Sequence, residues 1–166
     1  MINPIFTNNC NIYTFRGRNS ATPVIRKLSR DNFDEIYPLY VKYRESAGVK
    51  SSIEEVKEYL LAESQRNEDE IFITQKNGEP AGFLHFGKEY STLRPDFRYR
   101  IKALFVDTAY RGLGLAKSLL ETMKQFAGSK EIVVKARKSN QNSPRVYRNS
   151  EFQEDSEYTH FIYKKD

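Results

Sequence analysis

The segment that most narrows the choice of fold is a glycine turn with an apolar strand before it and an amphipathic run after it. It reads Leu104-Phe105-Val106-Asp107-Thr108-Ala109-Tyr110-Arg111-Gly112-Leu113-Gly114-Leu115-Ala116-Lys117. Beyond it, Ala116, Leu119, Leu120, Met123 and Ala127 fall on one face of a helix that Gly128 closes. The chain therefore passes from strand to helix through a tight turn. The first amides of such a helix lack intrahelical partners and carry the positive end of its dipole. Glycines let an anion approach the backbone closely, so this turn is suited to cradling phosphate.

Three phosphate patterns compete for the turn. A Walker A loop has Lys117-Ser118 but meets Arg111 and Ala116 where it requires glycine. A dinucleotide fingerprint meets Lys117 in place of its third glycine. The pattern Arg/Gln-x-x-Gly-x-Gly/Ala is satisfied by Arg111, Gly114 and Ala116.

The remaining periodicities predict an order β-α-α-β-β-β-α-β-α-β. Strands are expected at Val24–Leu28, Ile71–Gln75, Ala81–Phe86, Tyr99–Val106, Glu131–Lys135 and Tyr158–Tyr163. Phe33, Ile36, Tyr37, Tyr40, Val41 and Arg44 mark a first helix that Pro38 kinks or restarts and Gly48 ends. Ser52-x-x-Glu55 is a capping box for a second helix with Ile53, Val56, Leu60 and Leu61 as its stripe. Asn77-Gly78 is a hairpin turn, Gly87–Phe97 a polar loop, and Asn140–Asn149 a short helix. Residues 1–22 hold no acid, two arginines and five asparagines, and read as an extended or partly disordered arm with a short strand at Asn11–Phe15. Residues 23–166 form one domain. Its class is α/β (α+β mixed), a single mixed, mostly antiparallel sheet flanked by helices.

The turn resembles the pyrophosphate loop of the GNAT superfamily of N-acetyltransferases, which use acetyl-CoA. A second motif in the expected place strengthens the likeness. Members follow the loop, one strand later, with Asn-x-x-Ala-x-x-x-Tyr and then Gly-Phe; here Asn140-x-x-Ser143-x-x-x-Tyr147 is followed by Glu151-Phe152. Ser143 replaces alanine, and Glu151 stands where glycine is usual. The resemblance covers Val24 to Tyr163 and implies a GNAT-like acyl-CoA N-acyltransferase fold. It also implies that Leu104, Phe105 and Val106 pair with the pantetheine arm, and that the Leu104 amide stabilises the thioester oxyanion. Arg111, Gly112, Leu113, Gly114, Leu115, Ala116 and Lys117 would hold the pyrophosphate. Asn140 and Ser143 would contact the cofactor arm, with Tyr147 near its sulfur.

Acyl transfer from a thioester to an amine needs a neutral nucleophile, and an amine of pKa ~10.4 is only about a thousandth neutral near pH ~7.4. A base is useful, and a tyrosine phenol can protonate the leaving thiolate. Glu89 is the expected base, with Asp96, Glu154 and His85 as rivals; each is otherwise a surface acid or a structural histidine. Arg98, Arg100 and Lys102 alternate and so share one strand face, either to meet an acidic acceptor or as solvated charge. Lys135, Arg137 and Lys138 fit the cofactor's 3′-phosphate or plain solvent. The four acids from Glu151 to Glu157 would attract a cationic amine or merely solubilise a loop. Tyr37, Tyr40 and Tyr43 are candidates for an acceptor cleft, Tyr40 being the core member.

Composition sets the remaining bounds. A length of 166 residues with 39% hydrophobic content suits one domain with a core. No apolar run reaches the ~18–20 residues of a membrane span, and the first ten residues lack a signal-peptide pattern, so a cytoplasmic location is expected. Cys10 is the lone cysteine, which excludes an intrachain disulfide and argues against a thiol nucleophile; with only His85 and His160, no metal is expected. The net charge of +5 fits an anionic ligand without requiring one. The expected partners are acetyl-CoA and an amine acceptor, with a homodimer compatible. An acyl-CoA sensor on the same fold is the alternative function. Nucleic-acid binding is disfavoured because no aromatic–basic signature is present.

Overall fold

Local sequence signals set the ends of most elements. The computed structural model describes residues 12–14, 23–66, 68–93, 95–140, 142–156 and 161–164, and the chain divides into two compact units, Met1–Lys135 and Ala136–Asp166. The first unit contains strands β1 (Ile12–Thr14), β2 (Val24–Lys27), β3 (Glu70–Lys76), β4 (Glu79–Tyr90), β5 (Phe97–Val106) and β6 (Ile132–Val134). A 3-10 helix (Arg30–Ile36) leads into α1 (Tyr37–Ser46), and α2 spans Ile53–Arg66 and α3 Leu115–Ala127. The second unit contains α4 (Asn142–Arg148).

Pro38 lies in the first turn of α1, where its missing amide hydrogen has no helical acceptor to lose, so the helix restarts there. The capping box forms reciprocally: Glu55 donates its amide to Ser52 Oγ at 3.1 Å, and Ser52 donates its own to Glu55 Oε2 at 2.8 Å. Asn77 and Gly78 both take positive φ, the pair of left-handed conformations that a tight hairpin between β3 and β4 requires.

The six strands form one sheet in the order β1-β2-β3-β4-β5-β6, antiparallel throughout except for β5 with β6. Successive β4 residues face opposite sides. Phe83 and His85 meet Tyr40 of α1, whereas Phe86 meets Phe126 of α3. The helices α1 and α2 therefore cover one face, over a core that includes Phe33, Ile36, Tyr40, Leu60, Ile73 and Phe105. The other face lies under α3, where Phe126 packs on Phe72, Phe86 and Tyr99.

Three expectations differ from the structure. Residues 87–90 continue β4 instead of forming a loop, because Glu89 pairs with Arg98 and Tyr90 with Phe97 across the hairpin. Cross-strand charge and aromatic pairs of this kind stabilise a strand that polar composition disguises. The apolar stripe of α2 is narrower than predicted: Val56 and Leu60 are buried, while Ile53 and Leu61 are exposed. Residues 161–163 lie outside any strand, and the rest of the expected Tyr158–Tyr163 strand, like Cys10 and most of residues 1–22, falls outside the described residues. No described helix is long and apolar enough to cross a membrane.

Candidate active site

Strand β5 carries the first part of the site. Asp107 donates its amide to the Ala81 carbonyl, toward β4, at 2.9 Å. Amides alternate sides along an antiparallel strand, so those of Phe105 and Ala103 also face β4, and those of Leu104 and Val106 face the opposite edge. Along that edge β6 pairs only with Tyr99, Arg100 and Ile101. Among the described residues no strand pairs with the backbone of Leu104 and Val106 on that edge, which is where an extended ligand can add as a strand. At this point β4 and β5 run unusually close. A Cβ on Gly82, the cross-strand partner of Val106, would lie 2.7 Å from the Phe105 carbonyl oxygen, so the position admits only glycine without a shift.

The second part follows directly. Asp107 terminates β5 and caps a short turn, Thr108–Tyr110, by accepting the Ala109 amide at 3.2 Å. Lys42 of α1 donates to its other oxygen at 2.5 Å. These bonds, Lys42 foremost, hold the Asp107 carboxyl below its usual pKa against the opposing effect of burial. Arg111 then folds back, its Nε donating to the Val106 carbonyl at 3.1 Å. Gly112 and Gly114 adopt φ of +79° and +75°, and no heavy atom lies within 4 Å of a Cβ built on either. Their glycine requirement comes from backbone conformation, and the space beside them is open. The first intrahelical bond of α3 runs from Ser118 to Gly114, so the amides of Leu115, Ala116 and Lys117 precede the ladder and point out of its end. The expected loop residues 111–117 are thus continuous with the Leu104–Val106 edge within one unit.

The second unit carries the other residues that the resemblance singles out. Asn140 Oδ1 accepts the amides of Asn142 and Ser143, and its Nδ2 donates to Ser143 Oγ at 2.8 Å, so this pair shapes the start of α4. Tyr147 is half-buried, with its ring 5.7 Å from that of Phe152. The helix ends as the resemblance requires despite the missing glycine: Glu151 itself takes φ +68°, and Phe152 donates its amide to the Tyr147 carbonyl at 3.0 Å.

The candidate bases fare differently. Glu89 accepts from both Arg98 and Arg100. Burial alone would raise its pKa, but hydrogen bonds from Arg100 and Arg98 outweigh that and lower it. Its partner Arg98 stands six residues before Leu104, about 20 Å along the strand. That distance and the double arginine clamp weigh against the base role expected of Glu89. Asp96 pairs with Lys130, and Glu154 with Arg148. His85 is buried, held between Tyr40 and Asp69, and lies opposite Ala103. Arg98, Arg100 and Lys102 are all ion-paired, as is Lys102 through both Glu63 and Asp69. Tyr40 is buried and Tyr43 stacks edge-on to Phe105. Tyr37 is half-buried, its pKa raised by that burial and by Asp34. Lys135, Arg137 and Lys138 are exposed.

Glu89→Gln should accordingly act on stability and not on chemistry. The lowered carboxylate pKa stabilises the fold above the unfolded value of ~4.3 and loses that contribution as pH falls through the folded value. The variant should be about 1 kcal/mol less stable at neutral pH and show a flatter stability curve below pH ~4. Acid titration of unfolding free energy measures this, and a loss of acetyl transfer without a loss of stability would restore Glu89 as a base.

A strand edge running into an anion-cradling turn suits an extended ligand that carries phosphate. Comparison with known proteins agrees. The family described as Acetyltransferase (GNAT) family matches residues 33–152, and the chain belongs to that family, whose members use acetyl-CoA. It is 26% identical over 140 residues to the uncharacterized N-acetyltransferase YhfO of Bacillus subtilis (strain 168), covering 82% of this chain and 94% of that one. Among solved structures, a probable acetyltransferase superimposes with a TM-score of 0.76 at 25% identity, covering 86% of this chain and 97% of the other. A predicted acetyltransferase from Clostridium acetobutylicum, solved with acetyl-CoA, has a TM-score of 0.65 at 16% identity over 83% of this chain and 94% of its own. Among the described residues no group of three His, Cys, Asp or Glu side chains is arranged to hold a metal ion.

Proposed function

We propose that the chain transfers the acetyl group of acetyl-CoA directly to a primary amine. The observation that carries this reading is the continuity of the Leu104–Val106 edge with the loop amides of residues 112–117. Pantetheine adds beside β5, using the backbone of Leu104, Phe105 and Val106, and the pyrophosphate lies on Arg111 to Lys117. The Leu104 amide donates to the thioester oxygen as it gains charge. Asn140 and Ser143 border the cofactor arm. Tyr147 protonates the departing thiolate. The amine attacks the acetyl carbon directly, so no covalent enzyme intermediate forms and no thiol nucleophile is needed. The acceptor class is a small amine, polyamine, aminoglycoside or protein amine.

Thermal shift tests the cofactor half of this reading. A ligand that binds only the native state adds about 2.7 kcal/mol of stability at a hundredfold excess over Kd. Acetyl-CoA and CoA should raise the Tm, and ATP and NAD should leave it unchanged. A shift with NAD alone would favour a dinucleotide site. Release of free CoA across an amine panel then identifies the acceptor.

A further inference from the structure

Between Ile101 and Leu104 strand β5 changes which residues turn their amides to the open edge, and the cause is one extra residue. Tyr99 donates its amide to the Glu131 carbonyl on the β6 side, so Tyr99 and Ile101 face that edge. Strict alternation would place Ala103 there next. The register instead steps from Phe86↔Ile101 to His85↔Ala103, leaving Lys102 as an unpaired bulge residue. After it, Leu104 and not Ala103 addresses the open edge. A bulge re-aims a strand in this way, and moving it on to Leu104 would make that residue the extra one and take its amide out of the alternation.

The apolar pattern specifies the register on each side of the bulge, because Tyr99 packs under α3 and Phe105 under α1. What picks out Lys102 as the extra residue is its head group. Lys102 Nζ donates to Asp69 Oδ2 at 2.8 Å and to Glu63 Oε2 of α2 at 2.5 Å. The Asp69 side chain is 2% exposed, and the same oxygen meets His85 Nε2 at 2.7 Å. His85, in turn, is the cross-strand partner of Ala103, and its Nδ1 lies 3.1 Å from the Tyr40 hydroxyl. Releasing Lys102 would leave a buried carboxylate without its cation, a strongly unfavourable state. Glu89, Arg98 and Arg100 form a separate cluster farther along the same hairpin, which Arg98 extends to Glu131.

We propose that Lys102, held by Asp69 and Glu63, is a clamp that fixes the β5 bulge and thereby positions the Leu104 amide for the thioester carbonyl. The clamp rests on the Leu104 reading given above. Lys102, Asp69 and Glu63 are positioning residues in it, acting through the backbone and not by contact with acetyl-CoA. The change they protect is small, but a reacting group misplaced by ~1 Å loses about a hundredfold in rate.

Isotope-edited infrared spectroscopy of bound acetyl-CoA, labelled at the acetyl carbonyl, tests this without an acceptor. In the native protein the carbonyl stretch should fall below that of free acetyl-CoA, because the Leu104 amide polarises it. Leu104→Pro removes that amide at a position facing away from β4 and sets the benchmark for a lost downshift. Asp69→Asn and Lys102→Met should lose at least half of the downshift while binding acetyl-CoA within about threefold of native, since the loop amides that hold the pyrophosphate are untouched. Glu63→Gln, which leaves Lys102 bonded to Asp69, should lose less and serves if either other variant fails to fold. A full downshift in every variant that folds overturns the clamp. A full downshift in Leu104→Pro instead overturns the Leu104 reading itself, so the two failures are distinct.

Discussion

Replacing Gly114 with aspartate is expected to weaken acetyl-CoA binding at least ~tenfold with the fold retained. The backbone there sits at φ +75°, a conformation aspartate tolerates better than most residues. A Cβ at this position meets nothing within 4 Å, so the unliganded chain accommodates the new side chain. The ligand does not. A carboxylate at ~4–5 Å from a diphosphate charge costs on the order of 1–4 kcal/mol, depending on how far the site excludes water. Gly114→Asn has nearly the same shape without the charge and should lose distinctly less affinity. Calorimetry on both variants separates charge from strain, and unchanged affinity in Gly114→Asp would remove the pyrophosphate from this turn.

Tyr147→Phe is expected to lower turnover ~10²–10⁴-fold, the range for loss of a general acid, while acetyl-CoA affinity stays nearly intact. The ring should keep its packing against Phe152, so stability should change by less than ~1.5 kcal/mol. A hydroxyl that serves only local structure would give the opposite pattern, with stability lost and catalysis preserved. Both quantities can be measured on one preparation using an amine that supports CoA release. Retention of more than half the native turnover would refute the general-acid role.

Much of the fold was legible because its signals are local. The Ser52–Glu55 box, the Asn77-Gly78 turn and Pro38 at the start of α1 each act within a few residues, and each formed as expected. The glycines of the loop were legible for the same reason, since a left-handed backbone demands them whatever surrounds it. Residues 87–90 were misread because cross-strand partners, not their own composition, make them a strand. The ion pairing of Glu89 was hidden for the same cause: its two arginines stand nine and eleven residues away along the chain. Gly82 drew no attention, because only the approach of the Phe105 carbonyl gives it a purpose. Asp69 was equally silent; nothing in its neighbours along the chain announces that His85 and Lys102 will meet it.

The sequence by itself therefore determined the kind of molecule: a mixed sheet with helices, a strand that ends in an anion-cradling turn, and a second motif ordered after it. Those features depend on dihedral preferences and on polar–apolar periods, which every residue carries with it into any context. The tertiary structure decided which carboxylate is locked by arginines, which histidine is buried, and which amide of β5 turns to the open edge. These depend on pairings between residues far apart in the chain, such as Lys102 with Glu63 and Lys42 with Asp107. A one-residue bulge leaves the composition of a strand unchanged, yet it reverses the direction of every amide that follows.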